Sequence, residues 1–181
     1  QQQGNPTMDL AKLIERAKGI CLSPKAEWEK IAAETTDVKS IYTNYAMILA
    51  LIPAVCGFLG MSLIGISMPM IGTIRTPIGA GIAQLVIGYV LGLGVLYVVS
   101  LIVNALAPTF DGQNDAVQAL KLVVCSSTPV WIAGVLSLVP MLGMLTIIAG
   151  LYGLYLLYVG LPVVMKNPEE KSIGYTALII V

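Results

Sequence analysis

The polar side chains that could do chemistry in this chain are uncharged and lie inside long apolar runs. Gln84 and Asn104 occupy one run, and Ser127, Thr128 and Pro129 follow one another in the next. Amides and hydroxyls in an apolar setting can bind a neutral solute, because little water competes for their hydrogen bonds. A proline inside a helix removes an amide donor, so the neighbouring hydroxyls can also satisfy the freed carbonyl. We predict a kink at Pro129 and retain both interpretations, a polar intramembrane site and a packing feature.

Residues typical of catalysis or metal binding are scarce. The chain has no histidine, which is the commonest general base and metal ligand. The three cysteines form no CxxC pair. The segment Asp111 to Asp115 begins like a calcium loop but lacks the later glutamate, so a turn with a helix cap is the better interpretation. The sequence therefore predicts a protein that is not an enzyme and holds no cofactor and no metal.

The composition is typical of a membrane protein. Of the 181 residues, 57% are hydrophobic and only 11% are charged, whereas soluble domains carry about 25% charged residues. The mean hydropathy is +0.86. The net charge is zero, so no basic field exists to attract nucleic acid. We expect the lipid bilayer to be the main partner and expect no nucleic-acid binding.

Uncharged runs predict four complete transmembrane helices and the start of a fifth. The runs 40–74 and 76–110 each contain 35 residues, and the run 122–165 contains 44. About 20 apolar residues cross a bilayer core, so each of the first two runs holds one helix and the third holds two, divided at Pro140. The predicted spans are 42–66, 78–106, 120–138, 141–165 and 175–181 onward.

The predicted fold class is all-α, a polytopic transmembrane helical bundle with a short cytoplasmic amphipathic N-terminal helix pair. Residues 1–7 are expected to be a residual tag sequence or a disordered leader, residues 8–36 to form the helix pair, and residues 37–181 to form the transmembrane domain. The last apolar stretch has only seven residues from Tyr175 to Val181, so we expect the native protein to complete a fifth helix.

The positions of lysine and arginine predict a multi-pass protein of the inner (plasma) membrane with a cytoplasmic N-terminus. Cytoplasmic flanks of transmembrane helices are enriched in these residues. With the N-terminus inside, nine lie on the cytoplasmic side and only Arg75 lies outside. The opposite topology would invert that ratio.

The helix pair before the first span is predicted to be interfacial. Apolar residues recur on one face of its first helix, at Leu10, Leu13, Ile14, Ala17, Ile20 and Cys21. Ser23 and Pro24 are typical of the start of the second helix. Trp28 is a candidate interfacial anchor, because its ring is apolar and its N–H can remain in contact with water. The pair either supports the bundle as a plinth or offers a surface to a partner.

Small residues on the second span predict a close helix contact. Ala80, Gln84, Gly88 and Gly92 follow at four-residue steps, and the last two form a GxxxG element. The simplest interpretation is tight packing within the bundle. The alternative is a seam with another membrane protein or with a second copy, as a homodimer.

Several motifs together resemble the Ypt-interacting-protein family (Yip domain), in its short prokaryotic branch. They extend over nearly all of the chain from Leu10 to Val181 and comprise Ser23-Pro24, Trp28-Glu-Lys-Ile31, Phe110-Asp-Gly112, Ala119-Leu-Lys121, Ser127-Thr-Pro-Val-Trp131, and Leu151 to Tyr158 with Gly160-Leu-Pro162. The resemblance implies five spanning helices. Eukaryotic relatives bind small GTPases through a longer N-terminal region with an Asp-Leu-Tyr-Gly-Pro type element, which this chain lacks, so GTPase binding is not implied.

The leading functional hypothesis is a non-enzymatic membrane scaffold or adaptor, acting through helix contacts and the cytoplasmic surface. The alternative is a channel or carrier for a neutral or small polar solute, using Gln84, Asn104, Ser127 and Thr128 around the Pro129 break.

Overall fold

A computed structural model describes residues 10–68 and 72–180, apart from the side chain of Met68. The predicted residual tag sequence or leader at 1–7 lies outside the described residues. The described chain is an all-α bundle with one short hairpin, so the predicted fold class is confirmed. Four helical segments are long and apolar enough to cross a membrane, and they run over Val38–Ile64, Ile78–Phe110, Ala116–Leu138 and Pro140–Val164. We number them the first to fourth spans.

The N-terminal pair consists of α1 (Leu10–Leu22) and α2 (Pro24–Ala33). Ser23 occupies the N-cap position of α2, and its carbonyl oxygen accepts a hydrogen bond from the Glu27 amide at 3.1 Å. The apolar stripe of α1 divides in the structure. Its buried members are Leu13, Ala17 and Ile20, whereas Leu10 is 64% exposed. One side of α1 therefore packs on the bundle while the edge of the stripe stays uncovered.

The first span contains two π-helical turns. It is built from α3 (Val38–Ile41), a π-turn (Tyr42–Ala46), α4 (Met47–Leu59) and a second π-turn (Gly60–Ile64). π-turns are rare, and they commonly occur at functional sites. The span begins four residues before the predicted start at Tyr42.

A β-hairpin follows where the sequence predicted helix up to Ile66. Strand β1 (Ile66–Met68) pairs antiparallel with β2 (Gly72–Ile74), so Ser67 lies opposite Thr73 and their hydroxyls are 3.0 Å apart. Gly65 has φ +80°, a left-handed conformation that suits glycine and ends the helix. The prediction was wrong here because the apolar run through Ile66 is compatible with a helix, and only the left-handed conformation of Gly65 turns the chain into the hairpin.

The second span is a long helix that continues into a short turn. Helix α5 extends over Ile78–Leu106, the same bounds as predicted, and a 3₁₀ turn follows at Ala107–Phe110. The next helix starts at a capped end, where Asp115 Oδ1 accepts hydrogen bonds from the amides of Val117 and Gln118 at 2.9 and 3.0 Å. This geometry agrees with the predicted turn and helix cap.

The third span consists of α6 (Ala116–Ser126), α7 (Thr128–Ala133) and a 3₁₀ turn (Gly134–Leu138), with Ser127 between the two helices. Ser127 lies two residues before Pro129 and keeps a helical conformation, and its amide donates to the Val123 carbonyl oxygen at 3.1 Å. The kink at Pro129 stays a prediction. Ser127 Oγ donates to the Val123 carbonyl oxygen at 2.9 Å.

The last two helices complete the bundle. A 3₁₀ turn (Pro140–Leu145) leads into α8 (Thr146–Val164), and α9 extends over Glu169–Ile180. Helix α9 begins six residues before the predicted start at Tyr175. Its first turn carries Glu169 and Glu170, acidic residues that favour a helix N-terminus.

The core lies around the third span. Of the most apolar 18 residues of the third span, 67% are buried, whereas only 11% are buried in the corresponding stretch of the second span. Helix α6 packs against α1, α3, α5 and α8, and its Gln118 and Lys121 side chains reach carbonyls of α2. Helix α5 lies at the edge of the bundle with most of its surface uncovered.

Candidate functional site

One hydroxyl of the predicted cluster near Pro129 contacts another span. Thr128 is fully buried, and its Oγ1 lies 2.8 Å from the hydroxyl of Tyr45 in the first π-turn. Pro129 is buried beside it. Ser127 is engaged with the carbonyl oxygen of Val123. Most buried hydroxyls find such a partner. The contact between Thr128 and Tyr45 joins the first span to the third, whereas the Ser127 bond stays within the third span.

The two predicted amides lie far from each other. Gln84 and Asn104 are 20 residues apart on the continuous helix α5, which separates them by about 30 Å at a rise of 1.5 Å per residue. Gln84 is exposed on the bundle surface. Asn104 is half-buried, and its Oδ1 has no hydrogen-bond partner among residues 10–68 and 72–180. The five residues of the predicted polar site therefore do not converge on one cavity.

A groove of about 410 Å³ lies between the first and second spans. Gln84 is the one predicted polar site residue that lines it. Its full lining comprises Ala50, Pro53, Ala54, Gly57, Phe58, Met61, Ser62, Thr76, Gly81, Gln84, Leu85, Gly88, Tyr89, Gly92, Leu96 and Trp131. We call this cavity the α4–α5 groove.

Two tyrosines hold the walls of this groove in place. Tyr42 donates to the Leu93 carbonyl oxygen at 2.9 Å, and Tyr89 donates to the Met47 carbonyl oxygen at 2.9 Å. In the first bond the first span supplies the donor, and in the other the second span supplies it. The groove therefore lies between helices that are hydrogen-bonded to each other.

The small residues of the second span do not pack inside the bundle. Gly88 and Gly92 line the α4–α5 groove, and a Cβ added to either would have no described atom within 4 Å. Ala80 is exposed at the outer end of the same helix. This corrects the simplest sequence interpretation, because packed glycines would leave no space. The seam between copies stays a prediction.

Trp28 lies in the core and not at a wet interface. It is fully buried, and its indole nitrogen has no hydrogen-bond partner in the described part of the chain. The ring fits where Gly160 of α8 lacks a side chain, since a Cβ there would lie 2.6 Å from Trp28 Cε2. The predicted interfacial anchor is therefore wrong, because Gly160 provides a slot that the sequence of α2 does not reveal.

The N-terminal pair lies alongside α8. Tyr152 donates to the carbonyl oxygen of Cys21 at 2.8 Å, and Gly160 meets Trp28 eight residues later. Eight residues of helix are about 12 Å long, so the contact extends over more than two turns. The pair therefore packs against the bundle, which is what the plinth interpretation predicts.

Lys121 connects α2 to the third span, a role that the sequence analysis did not predict. Lys121 is 3% exposed, and its Nζ donates to the Ile31 carbonyl oxygen at 2.9 Å and to that of Glu34. These carbonyls lie at the C-terminal end of α2, where a helix presents unpaired acceptors and a partial negative charge. Lys121 thus joins α2 to the third span.

We expect Lys121→Met to lower the free energy of unfolding by about 3 kcal/mol, because it leaves two carbonyls at the end of α2 without their charged donor. Lys25→Met is the matched control, since Lys25 is exposed on α2 and forms no ion pair among the residues that the structure describes. Thermal melting in detergent, with hydrogen exchange of α2, measures both variants. Equal melting temperatures for the two would contradict the role of Lys121.

Further ion pairs close the same end of the molecule. Arg16 of α1 pairs with Glu34, and Lys171 of α9 pairs with Asp111, which lies between the second and third spans. Burial by itself lowers the pKa of Arg16, but its hydrogen bond to Glu34 and neighbouring charges outweigh that effect and hold the pKa above its usual value. In the ranges 10–68 and 72–180, no group of three cysteine, aspartate or glutamate side chains could hold a metal ion.

Comparisons with known proteins agree with this architecture. The Yip1 domain profile matches residues 18–181. Inner membrane protein YohC of Escherichia coli strain K12 is 22% identical over 162 residues, which cover 88% of this chain and 83% of YohC. The YohC protein of Escherichia coli O6:H1 strain CFT073 matches with the same identity and coverage. No solved structure matches the chain. The family resemblance predicted from the motifs is confirmed, and the chain belongs to the Yip1 domain family of membrane proteins.

Proposed function

We propose that this protein is a non-enzymatic scaffold or adaptor of the inner membrane, acting through helix contacts in the bilayer and through the exposed side of α1 and α2. One observation carries the proposal. The buried amine of Lys121 joins the end of α2 to the third span. The inner-membrane location is supported by the YohC relatives, which are named as inner membrane proteins.

The attachment makes the N-terminal pair suitable for relaying a contact to the spans. Trp28 fills the slot at Gly160, and Tyr152 holds the end of α1. The opposite side of the pair stays exposed and carries charged side chains, among them Lys25 and Glu29. A partner bound there would contact helices that are fixed to the bundle.

A carrier for a small polar solute is less well supported. Such a protein needs polar groups that face a shared pathway. The hydroxyls of Thr128 and Ser127 are engaged by Tyr45 and by the Val123 carbonyl. The α4–α5 groove reaches only Gln84 of the predicted set.

Reconstituted vesicles distinguish the two functions. We expect purified protein in vesicles to show no flux of a neutral solute such as glycerol above that of empty vesicles. Solute flux that is lost in Gln84→Leu or Thr128→Val, while Ile74→Leu on the exposed hairpin retains it, would overturn the scaffold proposal. In native membranes, a photoreactive residue at Glu29 should give discrete crosslinked products that the same residue at Ile74 does not give.

We also propose the cytoplasmic orientation of the N-terminus. It is supported by the charge tally, with Arg75 as the one basic residue beside the hairpin. A reporter fused after Pro77 is expected to be exported, and one fused after Asn114 is expected to stay in the cytoplasm. Alkaline phosphatase and green fluorescent protein fusions measure the two locations. Cytoplasmic location of the Pro77 fusion would refute the topology.

A further inference from the structure

We propose that the α4–α5 groove binds one membrane phospholipid, with an acyl chain between the two helices and the phosphate beside Arg75. The lipid would come from the leaflet on the hairpin side. The site goes beyond the scaffold role and does not depend on it. It is inferred from the shape of the groove, from an unpartnered hydroxyl and from the only nearby cation.

Three glycines leave open space along the walls of the groove. Added Cβ atoms at Gly57, Gly88 and Gly92 would meet no described atom within 4 Å. The groove extends from Gly81 to Leu96 on α5, about 22 Å at 1.5 Å per residue. One acyl chain extends over about 15 Å, half of the roughly 30 Å hydrocarbon core of a bilayer. The groove is therefore long enough to hold one acyl chain.

Polar groups collect at the hairpin end of the groove. Ser62 is 7% exposed, and its Oγ has no hydrogen-bond partner within the described chain. This hydroxyl faces Gly81 on the opposite wall, where an added Cβ would overlap it. Thr76 and Gln84 line the same end. Hydroxyl and amide donors at this depth can bind the ester oxygens of a phospholipid, which are acceptors without donors of their own.

A cation stands next to this polar end. Arg75 directly precedes Thr76 and is the only lysine or arginine between Lys39 and Lys121. It is exposed, its Nε donates to the Ile64 carbonyl oxygen at 3.4 Å, and it forms no ion pair among the residues that the structure describes. A guanidinium presents several donors in a plane that suits phosphate oxygens. The groups along the groove therefore match the parts of a phospholipid in order. Arg75 lies where the phosphate would be, the hydroxyls lie beside the ester groups, and the glycines line the space for the acyl chain.

Native mass spectrometry of the full chain tests the site. Delipidated protein in detergent is titrated with phosphatidylglycerol. We expect one tightly bound lipid, and Gly88→Leu should weaken its binding about tenfold or more by filling the groove. Gly94→Leu is the matched control, because Gly94 is equally open on α5 but does not line the groove. Arg75→Gln should weaken phosphatidylglycerol binding about threefold to tenfold.

A second variant keeps the test decisive if Gly88→Leu does not fold. Gly57→Leu fills the groove from α4 and is expected to weaken lipid binding in the same way. Equal lipid binding by the wild type and a folded groove variant would overturn the proposal. So would a lipid-free dimer that the groove variants dissociate and Gly94→Leu does not, because it would assign the groove to a second copy.

Discussion

Trp28→Ala is expected to lower the free energy of unfolding by about 3–5 kcal/mol, the usual range for removing a large buried aromatic side chain. The indole fills the slot opposite Gly160, where the Leu122 side chain also lies. Its removal leaves a cavity between α2, α6 and α8 that these three helices cannot close without shifting. The melting temperature in detergent, followed by size-exclusion chromatography, should fall by about 10 °C.

Leu22→Ala is the control for Trp28→Ala. Leu22 belongs to the same helix pair but is 78% exposed, so its truncation should change stability by no more than about 0.5 kcal/mol. An interfacial Trp28 would behave like Leu22 and would affect membrane attachment more than folding. Similar melting temperatures for the two variants would therefore contradict the buried position of Trp28.

Gly60→Val is expected to destabilise the bundle by about 3 kcal/mol or more, because overpacking against backbone cannot be relieved by a side-chain rotation. A Cβ on Gly60 would overlap the carbonyl oxygen of Ser137 in the third span. Glycine here allows the two backbones to approach, as small residues do in membrane helix packing. Unfolding by sodium dodecyl sulfate in dodecyl maltoside, followed by circular dichroism, measures the loss.

The same substitution three residues earlier is the control. A Cβ on Gly57 would have no described atom within 4 Å, and Gly57 lies on the same helix. Gly57→Val should therefore unfold near the wild-type midpoint. If both variants shifted the midpoint equally, intrinsic helix propensity would explain the effect and the close contact with Ser137 would not.

Most of the helical architecture could be predicted from the sequence. Helix α5 has the predicted bounds because Pro77 precedes it and the apolar run that follows is long and uncharged. The hairpin was missed because Ile66 continues an apolar run, and only the left-handed Gly65 redirects the chain. Short strands carry too few residues for their alternation to stand out against a membrane helix.

The candidate sites were less predictable, because they depend on contacts between distant parts of the chain. Thr128 meets Tyr45 across 83 positions, and Lys121 meets the carbonyl of Ile31 across 90. Periodicity within one helix shows which residues share a face but not which neighbour that face meets. The spacing of Gly88 and Gly92 likewise predicts a close helix contact, but no other helix packs against them in the described bundle.

The sequence by itself determined that this is a membrane-embedded helical bundle, because long uncharged runs of apolar residues have few other stable states. It also determined the family, through motifs spread along the chain. Only the tertiary structure decided what the polar and aromatic residues do. It placed Trp28 in a slot opposite Gly160, turned Lys121 inward to the end of α2, and left a groove where glycines had predicted packing. The physical reason is that burial and hydrogen-bond partners depend on which helices become neighbours, and that choice is made by the whole bundle.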